Sequence, residues 1–135
     1  MAPCDLLYMY CTVLRPVLDF ATPTYHPLLN ITQTKSLESL QRRALKIVYG
    51  TEIGYQEALA LANITTLQER REAITLKFAT NAQSNPRFTD RWFPKKPVRQ
   101  YLTRHNRPFV EERVKTERMK KNPLTYMRRT LNDNQ

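Results

Sequence analysis

The sequence predicts a mainly α-helical fold: a small antiparallel helical cluster followed by a basic, largely irregular C-terminal tail. The tail could contain a short strand and a terminal helix. Apolar residues recur at three- and four-residue steps in the first part of the chain. Helix start and stop signals flank these stretches, and convincing strand alternation is missing before residue 86. We therefore divide the chain into a helical domain, residues 1–85, and a tail, residues 86–135.

The composition separates these two regions by charge. The chain has 135 residues, 41% of them hydrophobic, which is enough for one domain with a sizeable core. Residues 1–85 carry 8 Lys+Arg against 7 Asp+Glu, whereas residues 86–135 carry 14 against 5. The net charge of +9 in the tail predicts a polyanionic partner, most simply the backbone of RNA or DNA, although a solvated tail or a membrane-surface contact gives the same count.

The most strongly predicted helix covers the stretch from Ile31 to Gly50. Thr32 or Thr34 is expected to cap its start, and Gly50 to end it in the left-handed conformation. Glu38 precedes Arg42 by one turn, which favours an ion pair. The face predicted to be buried is an apolar stripe formed by Leu37, Leu40, Ala44, Ile47 and Val48.

The N-terminal stretch from Asp5 to Phe20 is apolar nearly all round, so we expect a buried helix. Pro16 predicts a kink or break between Thr12 and Arg15. Cys4 and Cys11 stand two helical turns apart, which is too far for a disulfide, and are expected to be reduced core thiols.

A membrane partner is not expected, because the longest apolar run, Leu6 to Leu18, is interrupted and too short to span a bilayer. The N-terminus shows neither the basic region nor the small-residue cleavage site of a signal peptide. An intracellular location is therefore expected.

Shorter elements follow from local signals. Residues 21–30 are proline-rich and predict a loop, in which His26 is a loop residue rather than a metal ligand. A helix is expected over Tyr55 to Ala62 and should end at Asn63. The next helix opens with a capping box at Thr65 or Thr66. Its predicted buried face contains Leu67, Ile74 and Phe78, with Arg71 near the edge.

The tail combines prolines, basic residues and aromatic residues. Val98 to Leu102 could form a short strand, and Asn122 with Pro123 predicts the start of a helix that runs through Thr130. The aromatic residues either stack on nucleic-acid bases or anchor the tail to the helices, and they are Trp92, Phe93, Tyr101, Phe109 and Tyr126. The candidate nucleic-acid-binding residues are Arg99, Tyr101, Arg104, Arg107, Arg113, Arg118, Arg128 and Arg129.

Catalytic chemistry is not predicted. A two-metal polymerase or nuclease site needs clustered carboxylates, whereas the aspartates here stand far apart in the sequence, at Asp5, Asp19, Asp90 and Asp133. Phosphate-loop and nucleophile-elbow motifs are also missing. We therefore expect a protein that is not an enzyme, with no catalytic residues, no metal site and no cofactor.

Several motifs taken in order resemble a known family. They are Tyr10, Arg15 to Phe20, His26-Pro27, Leu37 to Ile47, Tyr49-Gly50 and Tyr55 to Leu59, followed by Leu67, Glu69 to Arg71, Tyr101, Arg104, Lys115 to Arg118, Pro123, Arg128-Arg129 and Leu131-Asn132. This order resembles the C-terminal end of non-LTR (LINE-type, jockey-like) retrotransposon reverse transcriptases, just after the polymerase palm.

The resemblance covers essentially the whole chain and implies a helical thumb and post-thumb region that grips template and primer. The match departs at Tyr25, where the family usually has tryptophan. It also lacks the palm and its catalytic carboxylates, so no catalytic residue carries over.

Two classes of function follow, besides a retroelement remnant without function. The first is a nucleic-acid-binding accessory fragment of a reverse transcriptase. The second is a helical protein-interaction module, in which the apolar helix from Asp5 to Phe20 binds the missing polymerase domain or a second copy of the chain.

Overall fold

A computed structural model describes residues 2–97 and 107–134 and confirms the mainly α-helical class. A π-helical turn, Tyr10–Leu14, lies between the first two helices, and a 3-10 turn, His26–Leu28, follows the third. The helices are α1 (Pro3–Met9), α2 (Arg15–Asp19), α3 (Thr22–Tyr25), α4 (Ile31–Tyr49), α5 (Tyr55–Ala62), α6 (Leu67–Ser84), α7 (Pro86–Trp92), α8 (Glu117–Lys120) and α9 (Pro123–Asp133).

The chain forms two compact units. Unit 1 comprises Met1–Thr22 and Leu29–Glu72, and unit 2 comprises Pro23–Leu28 and Ala73–Gln135. The boundary predicted from the sequence, between residues 85 and 86, falls inside unit 2. The physical reason is that the later part of α6 supplies buried alanines to the core of unit 2, whereas the change in composition that suggested the boundary begins only after this helix ends.

The break predicted at Pro16 is confirmed as a π-helical turn. The N–H of Arg15 bonds to the carbonyl of Tyr10, five residues earlier, instead of four. Proline at position 16 has no N–H to donate to the preceding turn, and its ring clashes with a carbonyl in a regular helix. A widened turn relieves that clash, and α2 then continues to Asp19.

Helix α4 begins and ends close to the predicted limits. Its N-cap is Asn30 rather than Thr32 or Thr34: the Asn30 side chain accepts from the N–H of Gln33, and the Gln33 side chain accepts in return from the N–H of Asn30. Asparagine is the better cap because its carbonyl oxygen reaches the third N–H of the helix. Gly50 ends the helix at φ +93°, in a region that side chains disfavour.

The buried face of α4 differs from the predicted stripe. Gln41, Leu45 and Val48 are buried, whereas Leu40 is 49% exposed and Ile47 is 66% exposed. Helices α1 and α5 pack against α4. Gln41 can be part of this buried face because every polar atom of its amide group forms a hydrogen bond. The apolar pattern missed this face because one of its central members is polar.

Helices α5 and α6 follow their predicted signals at the ends but not along α6. Asn63 ends α5 at φ +50°, and Thr66 forms the predicted capping box with Glu69. The predicted buried face of α6 is wrong at Phe78, which is 41% exposed, and Ile74 is only half-buried. The helix instead buries mostly short side chains at nearly four-residue steps, namely Leu67, Arg71, Thr75, Ala79 and Ala82.

The expectation of a loop over residues 21–30 is wrong, because α3 and the 3-10 turn occupy most of it. Pro23 lies in the first turn of α3, where a missing N–H costs nothing. His26 lies in the 3-10 turn, and its ring packs edge-on against Tyr126 with 5.5 Å between centroids.

Cys4 is exposed rather than in the core, because α1 turns that side to solvent. Both cysteines are free thiols.

Unit 2 has a core of its own, which the sequence did not predict for the tail. Its buried members are Ala79, Ala82, Phe93, Phe109, Met127 and Leu131. An antiparallel bridge joins Lys95 to Phe109, and the rings of Phe93 and Phe109 meet edge to face at 5.9 Å. The predicted terminal helix is confirmed as α9, capped by Asn122. The predicted strand, Val98 to Leu102, lies outside the described residues.

A buried polar network ties the π turn, α4 and α5 together in unit 1. The Tyr10 hydroxyl donates to Gln41 Oε1 at 2.8 Å. The Gln41 amide donates to the Tyr55 hydroxyl and to the carbonyl of Thr65, at 3.2 and 3.0 Å. The Tyr55 hydroxyl in turn donates to the Glu38 carboxylate. Each polar group of Gln41 therefore has a partner, which is the condition for burying an amide without a large loss of stability.

Glu38 thus has a different role from the predicted ion pair with Arg42. Its carboxylate also accepts the N–H of Leu67 at 3.3 Å, at the positive end of α6. The guanidinium of Arg42 lies 5.0 Å from the centre of the Tyr55 ring instead.

None of the helices in the described residues is long and apolar enough to cross a membrane.

The network predicts that unit 1 loses stability in alkaline solution. Burial raises the pKa of Tyr10 from 10.0 to about 12, and burial and Glu38 raise the pKa of Tyr55 as well. As the pH rises from 10 to 12, the unfolded chain loses the Tyr10 proton while the folded chain keeps it. Folded stability is therefore complete below pH 10 and should fall by roughly 2–3 kcal/mol for Tyr10 across this window.

Urea denaturation followed by circular dichroism at pH 9 and pH 11.5 measures this loss. Tyr10→Phe should show a smaller loss between the two pH values than the unmodified chain. Tyr8→Phe is the control, because Tyr8 lies two residues earlier, in α1, and is exposed. Equal pH dependence in the two variants would contradict the prediction.

Candidate nucleic-acid interface

The excess positive charge of the chain belongs entirely to unit 2. Counted over the residues of each unit, unit 1 has 7 Lys+Arg against 7 Asp+Glu, whereas unit 2 has 15 against 5. Unit 1 is therefore neutral, and unit 2 carries the whole net charge of +10. The separation by compact unit is cleaner than the separation by position along the sequence, because Lys77 belongs to unit 2.

Most cationic side chains of unit 2 in the described residues are exposed to solvent. The exposed ones are Lys77, Arg87, Arg91, Lys95, Lys96, Arg107, Arg113, Lys115, Arg118 and Lys120. Lys121 and Arg129 are half-buried. Such a density of accessible cations attracts a polyanion, because each phosphate contact releases condensed counterions.

The carboxylates of unit 2 neutralise only a few of these cations. Within the described ranges, Arg107 pairs with Glu111 at 3.6 Å and with Asp133 at 3.5 Å. Lys120 pairs with Glu117, and this contact lowers the pKa of the Glu117 carboxyl. Glu112 pairs with the buried Arg128. Four of the five acidic residues of unit 2 are therefore engaged in ion pairs. The remaining exposed cations are therefore largely unneutralised.

The segment after Arg107 is not helical before α8, and Asn132 of α9 makes several of the hydrogen bonds that hold it. Asn132 accepts the Phe109 N–H at 3.1 Å and donates to the Phe109 carbonyl at 3.4 Å and to Glu111 at 2.8 Å. On the other edge, backbone bonds of 2.7 and 2.9 Å join this segment to Pro94 and Lys96. These contacts fix the backbone from which the next basic residues project.

Three exposed cations follow this fixed segment: Arg113, Lys115 and Arg118. None of them forms an ion pair with another described residue, so their charges remain available to a ligand. Thr116 caps the short helix α8, which carries Arg118, by accepting the N–H of Met119. A basic stretch of this kind offers charge and donors to phosphate without a shape that would select a base sequence.

Arg128 differs from the rest of the predicted binding set. Its side chain is only 8% exposed, and its guanidinium donates to the carbonyl of Trp92 at 2.6 Å and to Glu112 at 3.2 Å. Both bonds hold unit 2 together, so we do not include Arg128 in the interface. The sequence analysis predicted Arg128 as a binding residue and missed the signal for burial, which is its spacing of four residues from Leu124 and three from Leu131.

The aromatic residues of the tail mainly support the core. Phe93 and Phe109 are buried, and Trp92 stacks on Phe88 with 4.3 Å between ring centres. Tyr126 packs against His26. For Phe93 and Phe109 the structure favours anchoring over base stacking, because a buried ring offers no free face to a base, whereas Trp92 and Tyr126 are half-buried.

The predicted binding residues therefore differ in their exposure to solvent. Arg107, Arg113 and Arg118 are exposed and Arg129 is half-buried, whereas Arg128 is buried. Arg99, Tyr101 and Arg104 lie outside the described residues. The prediction also missed exposed lysines, above all Lys95, Lys96 and Lys115. The adjacent pair Lys95-Lys96 was visible in the sequence as a local cluster of like charge.

Among the described residues, no group of three His, Cys, Asp or Glu side chains is placed to hold a metal ion. No family model matches the chain, and comparison with curated proteins and with solved structures gave no match.

Proposed function

We propose that this chain binds the backbone of RNA or DNA through unit 2, as a thumb-like, non-catalytic accessory piece of a non-LTR retrotransposon reverse transcriptase. The observation that carries the proposal is the charge of unit 2: 15 basic against 5 acidic residues, whereas unit 1 is neutral. The type of polymerase rests on the resemblance in motif order. The binding itself rests on the accessible cations.

The arrangement favours backbone contacts over the reading of bases. Phosphate contacts need exposed cations, and the segment from Arg113 to Arg118 supplies them. Base stacking needs exposed aromatic faces, and the rings of Phe93 and Phe109 are buried. Binding should therefore be largely independent of sequence and strongly dependent on salt.

Titration of a labelled oligonucleotide at two salt concentrations tests this proposal. Engagement of about four to six phosphates predicts that log affinity falls against log salt with a slope near −3 to −5, with micromolar or weaker binding at physiological salt. Binding that is missing at low salt, or that is indifferent to salt, would contradict the proposal.

A matched pair of triple variants locates the site. Arg113→Gln, Lys115→Gln and Arg118→Gln together remove three charges from unit 2. The control removes three exposed charges from α4 in unit 1, by Lys35→Gln, Arg43→Gln and Lys46→Gln. The first variant should reduce affinity at low salt by about tenfold or more and make the salt slope shallower by about 2–3. The control should bind nearly as well as the unmodified chain, and equal losses would show that only the overall charge matters.

A further inference from the structure

The N-terminal helices of unit 1 expose a row of apolar side chains, which we call the apolar strip. Its members are 50–80% exposed, and they are Tyr8, Met9, Val13, Leu14, Val17 and Phe20. The sequence predicted that this stretch would be buried all round. Instead, α1, the π turn and α2 bury only one side, around Tyr10 and Arg15, and leave the opposite side open.

The strip is continuous and carries no charge. Tyr8-Met9 and Val13-Leu14 are adjacent pairs five residues apart, and Val17 and Phe20 follow at three-residue steps, a spacing that follows one face through the π turn. The other exposed residues between them, Thr12 and Pro16, are also uncharged. Asp19 lies at the end of this stretch, but its carboxylate is 11% exposed and bonds to Arg70 at 2.6 Å. A surface without charges does not suit the polyanion proposed for unit 2.

The area of the strip matches one side of a dimer. An exposed aromatic side chain presents about 150–250 Å² and aliphatic ones somewhat less, so the six members expose roughly 700 Å² of apolar surface. The largest apolar patch of a typical monomer is about 300–600 Å². A standard interface buries about 800 Å² on each partner. The strip alone therefore provides nearly the area that one subunit contributes.

The distribution of charge favours a second copy of the same chain as the partner. Unit 1 has 7 basic and 7 acidic residues, so two copies meeting through this unit do not repel each other. Unit 2, with its net charge of +10, would oppose self-association. A lipid surface is less suitable, because helices that lie on membranes carry exposed basic residues beside the apolar face. The only basic residue from residue 2 to residue 20 is Arg15, which is buried.

We infer that the chain forms a homodimer in which the apolar strips of two copies pack against each other in antiparallel orientation. Two-fold symmetry makes such a contact self-complementary and closes it at two copies. The two middle members of the strip are Val13 and Leu14. Near the symmetry axis, Val13 of one copy therefore lies against Val13 of the other.

Sedimentation equilibrium of the full chain tests the inference. The expected mass is twice 16.0 kDa at high concentration. Val13→Glu should weaken dimerisation at least about tenfold, because it brings like charges together in an apolar contact. Ile47→Glu is the control, since it introduces the same charge at an exposed apolar residue of α4 in the same unit.

Mixing adds a test of the symmetry. Val13→Glu and Val13→Lys should each be monomeric, and an equimolar mixture should recover the dimer because opposite charges then face each other across the axis. Circular dichroism establishes that the variants are folded. The inference would be overturned if the unmodified chain were monomeric at 200 μM, whether or not it bound to anionic phospholipid vesicles. So would unchanged association in Val13→Glu, equal weakening by Ile47→Glu, or a mixture that remains monomeric.

Discussion

Replacing Leu45 with aspartate is expected to unfold unit 1. Leu45 is 1% exposed and packs with Ala58 and Leu59 of α5. The substitution removes a buried apolar side chain, at about 2–5 kcal/mol, and introduces a carboxyl group without a partner, at a further several kcal/mol. The sum approaches the whole stability of a small folded unit, about 5–15 kcal/mol.

Leu40→Asp makes the same chemical change on the same helix. Leu40 is 49% exposed, so this variant should lose no more than about 1 kcal/mol. Urea denaturation followed by circular dichroism compares the two. A comparable loss in both variants would mean that the buried face of α4 is the stripe that contains Leu40, as the hydrophobic pattern predicted, and not the face that contains Leu45.

Phe109→Ala is expected to destabilise unit 2 by about 3–5 kcal/mol, because it leaves a cavity beside Phe93 in a fully packed core. The single tryptophan of the chain, Trp92, packs against this core and reports on its unfolding by fluorescence. The midpoint of urea unfolding should fall by at least about 1 M.

Phe78→Ala is the matched control for this prediction. Phe78 is also in unit 2 but is 41% exposed, so its loss should stay below about 1.5 kcal/mol. If the fluorescence midpoint of Phe109→Ala stayed within 0.3 M of the unmodified chain, about the error of such a measurement, the core assigned to unit 2 would be incorrect.

Much of the secondary structure was predictable because its signals are local. Gly50 and Asn63 end their helices by adopting positive φ, and Asn122 with Pro123 starts the last one. Pro16 predicted the irregular turn before it, since the loss of one N–H disturbs the preceding turn in any surroundings. These features depend on a few neighbouring residues.

The candidate interface was predictable only in part. The positive charge of the second half follows from composition, and Arg113 and Arg118 are exposed as an interface requires. That Arg128 is buried depends on its bonds to Trp92 and Glu112, residues far away along the chain. Sequence counts give the charge of a region, whereas the availability of each cation depends on tertiary contacts.

The sequence by itself determined the helical class, most ends of the longer helices α4, α5, α6 and α9, and the basic character of the later part of the chain. Only the tertiary structure decided which face of each helix is buried. Gln41 lies in the core because Tyr10, Tyr55 and Thr65 satisfy its amide group, and Val13 is exposed because its side of the N-terminal helices meets no other part of unit 1. The physical reason is that burial depends on the neighbours that folding brings together, and a polar side chain with partners can occupy a place that an apolar one leaves to solvent.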